Sequence, residues 1–443
     1  MTHHPSPHGK THRVKTARRV LQITPLILAL TLTSGCGLPS APSLDDAPEP
    51  TASPSVTVSP RSKSTPTQTL EPSAAATTAS PSPTAPDATA SEVVYWYEST
   101  LPSNLRPAYE ETLKGVQNFE ESIQITQSGL TQDDASLIYN TLFAEHPTWF
   151  YMSLSYSTMV SNETKEVKAI KPKYGMTREE WLSKLNEVNA VVDPLVKQIN
   201  ASAKTDYEKE LAAHDWLVRN VVYRNDPSLS GSRSYQTVYG AFVEKQANCM
   251  GYSSAMLYLM RRLGISATIV QGIGYDPDGS SEAHEWNMIK IDGQWWHVDA
   301  CWDDPQMNDS DADRLRSDIR HGYMNLTDAE IAKDHKIEKV NRLGDPPKTG
   351  ANASSVNYYR RNGMYVTSMD QYSRLVREHF GEILDGRPLD VQFADDSLYR
   401  QATDNDVMSK IIQDAAEGHG LSKWSWATST SPAVRVVVLT MER

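Results

Sequence analysis

Cys249 is the residue from which chemistry is most directly read. Asn248 before it is a good helix N-cap, Ala255, Met256, Leu259 and Leu263 recur at helical spacing, and Gly264 supplies a stop. Cys249 thus falls in the first turn of a helix, where the positive end of the dipole favours thiolate over thiol. A buried cysteine acting as a small hydrophobe stays open beside that reading. Two downstream residues bear on the choice. Ala267–Tyr275, His284–Ile291 and Gln294–Trp302 read as strands, the last two joined by Asp292-Gly293. Asp-Gly between such runs favours a two-residue type I′ hairpin, which sets Ile291 opposite Gln294. Counting back, Trp286 faces Asp299 and His284 faces Cys301, and side-chain alternation puts all four on one face with Met288 and His297. His284 and Asp299 become diagonal neighbours about 7–8 Å apart at the backbone, within reach of a histidine–carboxylate hydrogen bond. A helix-start thiol beside a carboxylate-oriented imidazole is the arrangement that nucleophilic acyl chemistry on amides requires. It calls for no cofactor and no metal ion.

Other candidates compete for the same residues. His284, His297, Asp299 and Cys301 on one hairpin face form a possible zinc ligand set, although the strand pairing and the helix-start Cys249 are better explained by a triad. His214 lies on the apolar face of a helix over 205–222 with Tyr207, Leu211 and Val218, and reads as a satisfied core histidine. Trp286, Trp295, Trp296 and Trp302 read as core or groove wall. The acidic stretch 308–318 lacks calcium-loop spacing and reads as a solvated loop.

The stretches "DYEKELAAHDWLVRNVVYRND", "ANCMGYSSAMLYLMRRLGI" and "AHEWNMIKIDGQWWHVDACWDDP" together resemble a bacterial transglutaminase-like domain, related in fold and chemistry to papain-type cysteine proteases. The resemblance implies a nucleophile at Cys249, a base at His284 and an orienting carboxylate at Asp299. It implies an α+β fold in which a cysteine-bearing helix packs on an antiparallel sheet. Residues 103–155 and the segment "HGYMNLTDAEIAKDH" are similar to regions flanking such domains in bacterial surface proteins. Cys301 departs from the family's usual Thr at that position. It is either a small residue in a small slot or an oxidation-sensitive partner for Cys249. Some relatives retain the triad yet act only as binding or scaffold modules, and a cysteine peptidase acting on wall peptides is a further alternative. A peptide or protein amide is the expected substrate in the catalytic readings.

These residues must be positioned by a globular region that begins near Val93. Residues 93–200 read as mixed, with helices over Leu105–Phe119, Asp133–Ala144 and Arg178–Ile199 and strands over Trp149–Val160 and Val167–Tyr174. Residues 201–345 hold the chemistry. Residues 350–443 read as a small α/β section: a hairpin at Asn362-Gly363 between Asn357–Arg360 and Met364–Thr367, a helix over Met369–Leu384, a strand over Leu389–Ala394, one helix over Ser397–Glu417 and a strand over Ala433–Met441. Residues 1–35 carry five basic and no acidic residues, then an apolar run from Val20 to Thr33 that is too short to span a bilayer. Leu32-Thr33-Ser34-Gly35-Cys36 resembles a lipobox, which implies lipidation of Cys36 and export. Residues 37–92 are rich in Pro, Ser, Thr and Ala, and read as a disordered tether with a reach of about 40 Å as a coil and about 170 Å if extended. The expected location is a membrane-anchored, extracytoplasmic one, on a composition that fits a Gram-positive surface. The chain's net charge is −12, or −17 without residues 1–35, which argues against nucleic acid as a partner.

Overall fold

The computed structural model describes residues 93–224, 233–304, 319–338, 342–417 and 425–442. The leader, Cys36, the tether and the acidic stretch 308–318 lie outside the described residues. The fold is α+β. Helices α1 (Trp96–Thr100), α2 (Arg106–Gln117) and α3 (Gln132–Glu145) pack with a small sheet of β1 (Ile123–Gln124), β2 (Met152–Val160) and β3 (Val167–Tyr174), in the order β1–β3–β2. The long α4 (Arg178–Ser202) and α5 (Asp206–Asn220) follow. All but the first two of these helices start from capping boxes: Thr131 with Asp134, Thr177 with Glu180 and Thr205 with Glu208. Each box satisfies two otherwise orphaned N–H groups. Val188, Val192, Leu195, Val196 and Ile199 of α4 join the next core, so that core begins before residue 201.

That core positions the chemistry. A short parallel pair, β4 (Val222–Tyr223) and β5 (Gln246–Ala247), leads into α6 (Cys249–Arg262). An antiparallel sheet then forms from β6 (Ala267–Tyr275), β7 (Ser281–Ile291), β8 (Gln294–Val298) and β9 (His335–Ile337), in the order β8–β7–β6–β9. A short helix α7 (Ala300–Asp303) follows β8. Alternation along β7 sends Ile289 and Ile291 into the core under α6, with Tyr252, Met256 and Leu259. Trp286 and Met288 enter a second cluster on the other side of the sheet, with Tyr323, Tyr359, Val436 and Val438.

The C-terminal section builds a second four-stranded sheet in the order Tyr365–Val366, Leu389–Phe393, Val436–Glu442, Ser425–Ser431, against which helices Met369–Leu384 and Asn405–Ala416 pack. Two expectations are corrected here, and one strand is added. Asn357–Arg360 is not a hairpin arm: Tyr358–Arg361 is helical, capped by the Asn357 side-chain oxygen Oδ1, which accepts the Arg360 N–H, and Gly363 at φ 73° ends it. A left-handed glycine serves a helix C-terminus as well as a type I′ turn. The single helix over Ser397–Glu417 is two, because the Asp404 carboxylate accepts from the N–H groups of Asp406 and Val407 and starts a new helix. The terminal strand pairs along its length with Ser425–Ser431, a strand whose polar composition hid it. Among the described residues no helix is long and apolar enough to cross a membrane.

Candidate functional site

Asn248 caps α6 as expected: its side-chain oxygen accepts the Gly251 N–H at 3.3 Å. Cys249 is the first residue of the helix and is partly exposed. The hairpin turn has Asp292 at φ 52° and Gly293 at φ 79°, as a type I′ turn requires. The pairing runs from Ile291 opposite Gln294 back to Asn287 opposite Val298. There the expected strand stops short of Trp302. The Asp299 carboxylate Oδ1 accepts the N–H groups of Cys301 (3.0 Å) and Trp302 (3.1 Å) and caps α7. Cys301 is therefore not opposite His284. It sits in the short helix, buried in the core under α6, and both it and Cys249 are free thiols. Burial, then the charges of Asp299 and Cys249, push the Cys301 thiol well above the ordinary range.

The other Asp299 oxygen, Oδ2, lies 2.6 Å from His284 Nε2. His284 and Asp299 are both buried. Burial alone pulls the imidazole down, but the Asp299 charge and hydrogen bond, with a further contribution from Cys249, hold it well above its ordinary value. Burial works against the Asp299 charge as well, and the two imidazoles beside it hold the carboxyl well below the usual range. With Nε2 engaged, Nδ1 is left without a fully formed hydrogen bond. It is the nitrogen open to Cys249. The two elements are stapled together next to this point. Ser253, one turn beyond Cys249, donates to the buried Glu285 carboxylate at 2.5 Å, and Asn287 donates to the Ser253 carbonyl at 3.0 Å. Gln271 on β6 donates to the other Glu285 oxygen, whose acid is pushed upward by burial.

Trp286 is fully buried and donates from Nε1 to His297 Nδ1 at 3.0 Å. It is a floor beneath His284, with ring planes 17° apart, and not an open groove wall. The zinc set of His284, His297, Asp299 and Cys301 does not assemble. The second nitrogen of His297 faces Asp328 at 3.0 Å, and Cys301 lies in the core. His214 is buried and satisfied as expected, and both of its ring nitrogens face carboxylates. Its Nε2 faces Asp303 at 3.1 Å, its Nδ1 faces Asp215 at 3.4 Å, and Asp215 also meets His321 at 2.9 Å. Among the described residues, two groups have ligand-type atoms within 4.8 Å of one another: His214, Asp215 and His321, and His284, Asp299 and His335. In the second group the Asp299 oxygen is already the hydrogen-bond partner of both rings.

His335 was not singled out from the sequence. Its Nε2 lies 3.1 Å from Asp299 Oδ2 and its Nδ1 2.7 Å from Asp334. The one signal was that it ends the segment "HGYMNLTDAEIAKDH", already set apart by resemblance. Nothing in spacing could show that β9 returns to the edge of β6, Gly274 opposite His335.

The model of the transglutaminase-like superfamily matches residues 193–300, which contain all three residues of the constellation. No curated protein matches the chain. Solved structures to which it is similar include a TGase (12% identity, 33% of this chain and 44% of that one, TM-score 0.23). Others are a candidate cysteine protease from Cytophaga hutchinsonii (16%, 33% and 61%, TM-score 0.21) and the periplasmic domain of TgpA from Pseudomonas aeruginosa (15%, 34% and 60%, TM-score 0.20). The chain thus spans 44% to 61% of the length of these proteins. Over residues 193–300, the chain carries a transglutaminase-like domain.

Proposed function

We propose that this domain performs thiol acyl chemistry on peptide or protein amides, with Cys249 as nucleophile, His284 as base and Asp299 as its orienting carboxylate. The observation that carries the reading is the 2.6 Å contact of Asp299 with His284 Nε2, which leaves Nδ1 for the helix-start thiol. Nε2–H donates to Asp299, so the neutral ring presents a lone pair at Nδ1. Nδ1 takes the Cys249 proton, or already holds it in a thiolate–imidazolium pair, and the sulfur attacks the amide carbon. The oxyanion meets the Cys249 N–H, a first-turn donor with no partner inside the helix. His284 returns the proton to the departing nitrogen as the C–N bond breaks, leaving a thioester. An amine or water then takes the acyl group. The partial exposure of Cys249 beside a sealed histidine and carboxylate supports this division of roles. A peptide-like electrophile should label the wild type and not Cys249→Ala. Absence of labelling in the wild type would sink the reading. Amine incorporation measured against ammonia or peptide release then identifies the acceptor.

We place this chemistry outside the cytoplasmic membrane, on a lipid anchor at Cys36, with wall-associated peptides or proteins as the candidate substrates. The basic leader, the apolar run and the small residues before Cys36 support it. Labelled fatty acid should enter the wild type and be absent from Cys36→Ala. Equal incorporation in both would remove the anchor.

A further inference from the structure

The triad carboxylate has two histidines on one oxygen. Asp299 Oδ2 is 2.6 Å from His284 Nε2 and 3.1 Å from His335 Nε2, while Oδ1 accepts the two N–H groups of α7. A carboxylate has about four acceptor sites, so Asp299 is fully used. The far side of the second ring matters as much. His335 Nδ1 is 2.7 Å from Asp334 Oδ1, and Asp334 Oδ2 takes the Tyr323 hydroxyl at 2.5 Å. Each His335 nitrogen thus faces a carboxylate oxygen. Both contacts are N–H···O bonds only when the ring carries two protons; a neutral ring sets a lone pair against one carboxylate. His335 is fully buried, and buried carboxylates without a counter-charge are costly. Aromatic rings close the space around it: Trp302, Trp286 and Tyr323 lie with ring centroids 4.4, 5.0 and 5.6 Å away.

We propose that His335 is a positioning residue of the site, held as a cation between Asp334 and Asp299, where it takes up part of the Asp299 charge and so sets how tightly His284 keeps its proton. Its effect on catalysis rests on the thiol reading above; its charge state does not. The titratable groups facing it are Asp299, Asp334, His284 (ring centroids 5.4 Å apart), Tyr323 and, on the other side of Trp286, His297. The neighbouring Lys336 is exposed and pairs with Glu338.

Two measurements on the full-length chain test this. Nitrogen NMR of histidine-labelled wild type should show both His335 ring nitrogens protonated near neutral pH. A single-proton tautomer there overturns the proposal, whatever Cys249 does. The second is the pH profile of Cys249 alkylation by iodoacetamide, in wild type and His335→Gln. Glutamine keeps one N–H for Asp299 but no charge. Removing a cation makes the thiol harder to ionise and the His284 imidazolium harder to deprotonate, so both limbs should move to higher pH by about half a unit or more. Unmoved limbs with only a lower plateau would mean a merely structural role and overturn the proposal. If wild-type Cys249 is not alkylated, the thiol reading fails, and the NMR result still decides the charge of His335. Should His335→Gln fail to fold, the wild-type spectrum decides.

Discussion

At the scale of the residue, Asp299 carries two loads through its two oxygens. Oδ1 caps α7, and Oδ2 holds the imidazoles. Substitutions should separate them. Asp299→Asn keeps an oxygen for the cap but presents an amide N–H to His284 Nε2, forcing the ring proton onto Nδ1, where the base is needed. Thiol alkylation and any amide turnover should fall on the order of 10⁴-fold while the helix cap is kept. Asp299→Ala should lose the same activity and, in addition, about 1 kcal/mol or more from the missing cap, read by urea unfolding. Equal stability of the two variants would contradict the capping role. The pH sign follows from the shifts. His284 is raised, so its pairing stabilises the fold fully below the ordinary histidine value and fades as pH climbs through the raised one. Asp299 is depressed, so its contribution is complete above the ordinary carboxylate value and fades as pH falls toward the depressed one. The stability gap between wild type and Asp299→Asn should therefore be widest near pH 5 to 7 and shrink on both sides.

At the scale of the element, the hairpin and α6 were legible because local chemistry fixes them. Asp292-Gly293 sets the register by turn geometry, and Asn248 with the apolar spacing sets the helix. The end of β8 was not legible, because the residue that ends it is the one read as catalytic. A side chain that accepts two N–H groups competes with strand pairing, and Asp299 does both jobs. Asn362-Gly363 is ambiguous in a similar way, because one left-handed glycine serves both a hairpin turn and a helix end. β9 is not legible because its pairing depends on a close approach of residues 61 to 65 positions apart. A Cβ at Gly272 would stand 2.1 Å from the Lys336 carbonyl oxygen, and one at Gly274 would stand 2.9 Å from Trp302 and 3.5 Å from the His284 Cβ. Backbone cannot yield as a flexible side chain can. Gly272→Ala should push β9 off the sheet edge, costing about 1–3 kcal/mol, and should carry His335 away from Asp299. Its alkylation profile should then move as that of His335→Gln does. Gly272→Ala with wild-type stability would show that β9 is not held against β6.

At the scale of the whole molecule, the chemistry-bearing core is tied to its neighbours by buried charge, which a linear sequence does not reveal. On one side, the buried Glu145 carboxylate at the end of α3 pairs with Arg261 of α6 and accepts the Tyr97 N–H. On the other, His214 of α5 reaches Asp303 at the end of α7, Asp215 meets His321, and His321 stacks on Tyr358 with centroids 3.6 Å apart. Tyr359 beside it donates to Asp390 of the C-terminal sheet. Apolar periodicity identified His214 as a core position but could not supply its partner Asp303, nor the links that run on from Asp215 to His321 and from Tyr359 to Asp390. Because Asp303 closes the helix that Asp299 opens, this network also fixes one end of the triad. Burial lowers the His214 imidazole, but the hydrogen bonds and charges of Asp215 and Asp303 outweigh it and raise the group to about 9. A histidine so raised stabilises the fold fully below its unfolded value of about 6.5, and that contribution is lost as pH rises through about 9. Urea unfolding of the wild type should show stability falling between these limits, by on the order of 3 kcal/mol from this group. His214→Gln removes the titrating group but retains a donor for Asp303, so its own decline over the same interval should be shallower and the two curves should converge near pH 9. Parallel curves would mean that His214 is held neutral and the network is not charged.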